Sequence, residues 1–215
     1  MGLRLMSMMV EEAKGKHELL SGLNFADTLT DKKGGELISL IHSYASSHGD
    51  PFVYTFAERL LIHVTRPFYT MLQHWIYDGE LEDPFLEFFV YQNRDADSDS
   101  DPRRGGATSV WEDKYRLKDS MIPTIITQDF AKKVYLIGKS LNFIRYGCGD
   151  SAWVENHSKS SMRELRYGDT ATLESSIDSA YKGTMARLIH LMEDKFKLFE
   201  HLSALKKYLL LGQGD

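Results

Sequence analysis

A chain of 215 residues that is 42% hydrophobic can bury a real core, and its 26 basic against 31 acidic side chains, a formal charge of -5, offer no general attraction to nucleic acid or an anionic membrane. Cys148 is the only cysteine, so no intrachain disulfide can form, and no run of about 18 apolar residues is present to cross a membrane as a helix. The start, MGLRLMSMMVEEAKG, lacks the small-residue cleavage site of a secretory signal and carries Met6 where a myristoylation signal has Ser or Thr, so a soluble protein of the reducing cytosol is expected.

Leu3, Met6, Val10 and Ala13 recur at helical spacing and predict a first helix ending near Gly15, followed by a less periodic stretch from Lys16 to Gly35. Leu37, Ile41 and Tyr44 predict a second helix from Glu36 to a stop at Ser47-His48-Gly49. Asp50 is placed to cap a third helix with Pro51 in its first turn. Its residues Phe52 to Val64 are apolar around most of the circumference, which predicts a central position. Pro67 is read as opening a fourth helix, with Phe68, Met71, Leu72, Trp75 and Ile76 on one face and Asp78-Gly79 as its end.

After Pro84 the aromatic run Phe85 to Tyr91 suits a short strand, with an antiparallel mate between Trp111 and Met121. The intervening Gln92 to Ser109 includes DADSDSDPRRGG and is expected to be a mobile loop, within which Ser98 and Ser100 are open to phosphorylation. Phe130, Val134, Ile137, Leu141 and Ile144 predict a fifth helix from Gln128 to Tyr146, ended by Gly147 and Gly149. A second polar connection, Asp150 to Asp169, is also expected to be mobile. Leu173, Ile177, Ala180, Thr184, Leu188, Met192, Phe196, Phe199, Leu202, Leu205 and Leu209 then hold one stripe, as one long helix or two in line. The fold class expected is mainly α, a single domain over 1–215 built as a bundle of about six helices with a small antiparallel β-hairpin.

Familiar chemistry finds little support. Gly138-Lys139-Ser140 imitates the end of a phosphate-binding loop, but Lys133 stands where that loop has its first glycine, and the triplet lies inside a helical stripe. Asp95, Asp97 and Asp99 imitate a calcium loop, yet Ser100 replaces its glycine and Gly106 its final glutamate. The eight histidines form no HExxH and no i, i+4 pair on one helix, so His63 and His74 read as ordinary helix residues. Cys148 with His157 nearby in sequence, and the carboxylates Glu80, Glu82, Asp83 and Glu87, are better explained as a structural thiol and a solvated turn than as catalytic pairs. No enzyme activity, metal or cofactor is expected.

One series of motifs is more specific. WIYDGELEDPFLEFFV from Trp75 to Val90, then WEDKYRLKDSMIP, KKVYLIGKSLNFIR and the final KYLLLGQGD follow in order, and KGGELISLIHSY precedes them. Together they resemble the gamma-tubulin complex component family, most closely its third-component type, which includes the fungal spindle-pole-body subunit. The likeness runs well from about Lys32 to Asp215. It departs at Phe85, where tyrosine is common in the family.

The resemblance implies a non-catalytic scaffold that supports microtubule nucleation at the centrosome, spindle pole body or other microtubule-organising centre of the cytoskeleton. The family's N-terminal helical half packs subunits side by side, and its C-terminal half binds gamma-tubulin. This chain is similar to the later part of the first half, so sibling subunits are the expected partners, with gamma-tubulin bound through the full-length subunit. Neither nucleic acid nor membrane is an expected partner. Trp75, Gly79, Asp83, Pro84, Phe88, Gly138, Gly212 and Gly214 are assigned to the structural motif, with Trp75, Ile76, Phe88 and Phe89 filling a helix–hairpin junction. The exposed charges Glu80, Glu82, Asp113, Lys114 and Lys139 are the candidates for subunit contact. The alternative is a generic helical adaptor docking partner helices along the stripe from Leu173 to Leu209.

Overall fold

The computed structural model describes residues 32–47, 50–93 and 114–211. The first predicted helix, most of the polar loop after Gln92, and Gly212 and Gly214 lie outside these residues. Helix α1, Gly34–Ser47, buries Ile38, Ile41 and Ala45, spaced at three and four residues, against α2, Pro51–Asp78. Helix α2 starts and stops as its sequence suggests. The Asp50 carboxylate accepts from the Phe52 amide at 2.8 Å, and Gly79, at φ 68°, closes the C-terminus.

Between these caps the third and fourth predicted helices are one. Pro67 does not open a new helix; α2 runs straight through it. Proline removes one bond from the helical ladder, the one that His63 C=O would otherwise accept. Both His63 and Pro67 are exposed, so water can satisfy that carbonyl. The opposite side is held by Leu61, Thr65, Phe68 and Leu72, all almost fully buried. Packing on both sides of the proline outweighs its helix-breaking tendency.

Strand β1, Val90–Gln92, pairs antiparallel with β2, Tyr115–Leu117, in the register Val90 to Leu117, Tyr91 to Arg116 and Gln92 to Tyr115. The strand is shorter than the aromatic run suggested. Phe88 and Phe89 are both buried, against the alternation of a strand, because both pack on Phe68 with ring centroids at 5.4 and 5.9 Å. A 3-10 turn, Asp119–Met121, leads away from β2.

Helix α3, Gln128–Asn142, is capped by Thr127, which accepts from the Phe130 amide. Its last predicted turn widens into a π-helical turn, Phe143–Gly147, that still buries Ile144. The expected polar connection from Asp150 to Asp169 instead contains a helix, α4, Ser151–Ser161. Its apolar content is confined to Ala152, Trp153 and Val154, too little for a periodic signal. Tertiary contacts supply the rest: Val154 is fully buried, and the Arg187 guanidinium lies over Trp153 while pairing with Asp150.

The final stripe is two helices, α5, Thr170–Phe196, and α6, Leu198–Leu211, separated at Lys197, whose φ of 47° breaks the helical ladder. Leu173, Ile177, Ala180 and Thr184 of α5 are buried, and α5 packs on α3. Leu202 and Leu205 of α6 are half exposed. Among the described residues the architecture is therefore six helices with one two-stranded antiparallel sheet, the fold class expected.

Candidate functional site: the Trp75 junction and its exposed rim

Trp75 is fully buried where α2, α3 and β2 meet. Its Nε1–H donates to the Val134 carbonyl at 2.9 Å, and the Tyr115 ring meets it edge-on with centroids 4.9 Å apart. The indole packs directly against Gly138. A Cβ at that position would overlap Cε2, Cζ2 and Cδ2 of the ring, so glycine is required for α3 to approach. Gly138-Lys139-Ser140 is thus a packing element. Its glycine lies under a tryptophan.

Asn142 ties the same elements together through polar atoms. Its Nδ2 donates to the carbonyls of Gly79 at 2.7 Å and Gly138 at 2.9 Å, and its Oδ1 accepts from the Tyr115 hydroxyl. Tyr135 donates its hydroxyl to the Tyr115 carbonyl. Burial pushes the Tyr115 phenol above its ordinary pKa, and that of Tyr69, beside Phe68, up to about 12. Both remain neutral hydrogen-bonding groups at physiological pH.

Beyond Gly79 the chain makes a tight turn organised by Asp83. One carboxylate oxygen accepts from the Glu87 amide at 2.9 Å and the other from the Phe88 amide at 2.8 Å. The turn inserts Phe88 and Phe89 into the core and leaves Pro84, Phe85 and Leu86 outside. Phe85 is 72% exposed. Leu86 has φ of 56°, a left-handed conformation that a branched side chain rarely accepts. The tip is also gripped at the start of α1: Lys33, just before the helix, donates from Nζ to the Phe85 carbonyl at 2.6 Å, and a Cβ on Gly34 would collide with the Glu87 backbone.

The charged candidates distribute around this junction. Glu80 is exposed and pairs with Arg145 at 3.2 Å; Arg145 and Lys114 both approach the ring of Tyr146, which is exposed. Lys114 also lies over Tyr115, and Lys139 over Tyr135 at 5.1 Å. Glu82 is exposed beside the turn, Glu87 is half-buried, and Asp113 falls outside the described residues. Glu80 and Lys114 therefore share one surface centred on Tyr146. Sequence reasoning missed Arg145, Asn142 and Lys33, because each acts on a residue 52 to 65 positions away. The doubled glycine Gly34-Gly35 before a helix was the available signal for the α1 grip.

Cys148 and His157 do not form a reactive pair. Cys148 is buried, burial pushes its thiol above the ordinary value, and Lys195 donates to its carbonyl rather than its sulfur. His157 instead stacks on Trp153, with centroids 4.7 Å apart and planes 8° apart. Among the described residues, no group of three His, Cys, Asp or Glu side chains is placed to hold a metal, and no helix is long and apolar enough to cross a membrane.

The His157 Nε2 is buried without a hydrogen-bond partner, and burial holds its pKa below the usual histidine value. Its Nδ1 is 3.5 Å from the Ser161 hydroxyl, and Arg187, which pairs with Asp150, also lies over the Trp153 ring on which His157 stacks. As pH falls below about 6.5 the unfolded chain takes up this proton first. The stability contributed by neutral His157 is complete above that pH and is lost as pH falls through the lower folded value. The expected result is a lower urea midpoint at pH of about 5.5 than at about 7.5, with that difference reduced in His157→Gln.

Residues 1–195 match the gamma tubulin complex component N-terminal family. The chain belongs to that family. Among its relatives, the spindle pole body component alp6 of Schizosaccharomyces pombe is 41% identical over 94% of this chain and 24% of its own length. Human gamma-tubulin complex component 3 is 38% identical over 88% of this chain and 21% of its own. Gamma-tubulin complex component 2 of Arabidopsis thaliana is 30% identical over 85% and 26%. The chain thus spans about a quarter of the length of the curated relatives it matches. Within this member of the gamma-tubulin complex component family, the motif from Trp75 to Val90 divides in two. Trp75, Ile76, Phe88 and Phe89 fill the core, whereas Pro84, Phe85 and Leu86 face outward.

Proposed function

We propose that this chain is a non-catalytic scaffold element of a microtubule-nucleating complex, packing laterally with sibling gamma-tubulin complex subunits at the spindle pole body or another microtubule-organising centre. Family membership carries this proposal. It is supported by a junction whose aromatic, glycine and amide groups are fully engaged with one another, which suits a part that must hold a fixed shape. Gamma-tubulin is contacted by the full-length subunit, and this stretch sets the spacing between neighbours. The charges around Tyr146, namely exposed Glu80 with half-buried Lys114 and Arg145, lie at the margin of the lateral contact.

The test is cross-linking mass spectrometry on the full-length subunit purified from cells, with the 215-residue chain assayed separately against purified gamma-tubulin. Cross-links from Lys114 and Lys139 to sibling subunits are expected, together with no tight complex between the isolated chain and gamma-tubulin. A stable one-to-one complex with gamma-tubulin, or purification without sibling subunits, would overturn this assignment.

A further inference from the structure

We propose that the Pro84-Phe85-Leu86 tip is a docking knob, received by a neighbouring family subunit on an apolar helix face edged with basic residues, a proposal that rests on the side-by-side packing proposed above. Three observations converge on it. The tip is apolar and outward, with Phe85 72% exposed and Leu86 55%. It is also braced: Asp83 accepts from the Glu87 and Phe88 amides across the turn, Lys33 holds the Phe85 carbonyl, and Gly34 abuts the Glu87 backbone. An apolar pair held this firmly in water meets a partner with little further loss of conformational freedom. Finally, Leu86 is strained. Glycine or asparagine would satisfy a φ of 56° more easily, so a leucine there serves something other than the turn.

Charge says what covers the tip. Glu80, exposed beside it, is paired with Arg145, but among the described residues exposed Glu82 and half-buried Asp83 and Glu87 still outnumber the single cation at the tip, Lys33, whose ammonium donates to the Phe85 carbonyl. An acidic rim around an apolar knob calls for an apolar surface edged with arginine or lysine. This fold displays one. On the outward side of α2, Phe52 and Ile62 are more than half exposed, and Arg59 and Arg66 flank Ile62 at spacings of three and four. Component 2 and component 3 relatives both match over most of this chain, from which we infer that a sibling subunit has a counterpart of this helix. The occupant is the α2 face of a sibling subunit. Such a contact joins two different surfaces and so repeats from one subunit to the next.

The test is isothermal titration of this chain against the purified component 2-type subunit of the same organism at low and high salt. Phe85→Ser and Leu86→Gly are each expected to weaken binding at least about ten-fold, the range of an interface anchor, and Glu82→Lys to weaken it several-fold with a smaller salt dependence. Leu86→Gly should at the same time keep or raise the urea midpoint, because glycine adopts the left-handed conformation freely. That separates lost contact from lost fold. Wild-type binding unaffected by Phe85→Ser and Leu86→Gly would overturn the knob and leave lateral packing standing. No binding by the wild-type chain would overturn both. Self-association that needs Phe85, without binding to the sibling, would overturn the choice of occupant.

Discussion

Gly138→Ala is expected to destabilise the protein by about 3 kcal/mol, at the upper end of the usual cost of overpacking a core. The sign is opposite to that of the same change on an exposed helix, where alanine is favoured over glycine by up to about 1 kcal/mol. The difference lies in one contact. The new methyl would occupy the space of the Trp75 six-membered ring, and that ring has nowhere to move: its Nε1 is tied to Val134 and Tyr115 closes its edge. Asn142 bonds to the Gly138 carbonyl and to Gly79, so a shift of α3 to relieve the clash would also disturb the end of α2. Urea unfolding checks this, with the midpoint expected to fall at an unchanged slope.

Trp75→Ala is the companion case, with an expected loss of about 3–5 kcal/mol from deletion of a large buried aromatic side chain and the cavity left behind. The indole is 0% exposed and its hydrogen bond to Val134 would also be lost. The two substitutions should not add. Once Trp75 is removed, the methyl of Gly138→Ala meets open space and fills part of the void. The double variant is therefore expected to be more stable than the sum of the single changes by more than about 1 kcal/mol, as for residues in direct contact. Simple additivity in a double-mutant cycle would mean that the ring and the glycine do not meet in solution.

Local signals in the chain marked much of the fold. Asp50-Pro51 and Asp78-Gly79 mark the ends of α2 because caps are short-range chemistry, and the periodicity of Phe130 to Ile144 marks α3 because its buried residues all face one way. What escaped was decided at long range. Pro67 is tolerated because its exposed side looks to water, a fact set by the packing of α1 and the aromatic cluster on the other side. Helix α4 escaped because its hold on the bundle comes from Val154 and from Arg187, 37 residues beyond its ion-pair partner Asp150.

The candidate site was legible to a different depth. Its motif was recognisable as a family signature, and Trp75, Gly138 and Phe88 could be assigned to packing by residue type alone. The outward turn of Phe85 and Leu86 could not be foreseen, since an aromatic run reads as a strand until Phe88 and Phe89 are found buried side by side against Phe68. The grip of Lys33 on the tip crosses 52 residues and leaves no periodic trace.

Helix α2 has a consequence for how the molecule comes apart. At 1.5 Å per residue its 28 residues extend about 42 Å, and the one rod carries both α1 and, near its end, the Trp75 junction. Had Pro67 split it, each half could have opened as a separate unit of folding. Because Thr65 and Phe68 bury the helix on both flanks of the proline, loosening either end unseats residues that the other end depends on. The bundle should therefore melt as one cooperative unit, so damage at the junction and damage at the α1–α2 contact are felt as the same loss.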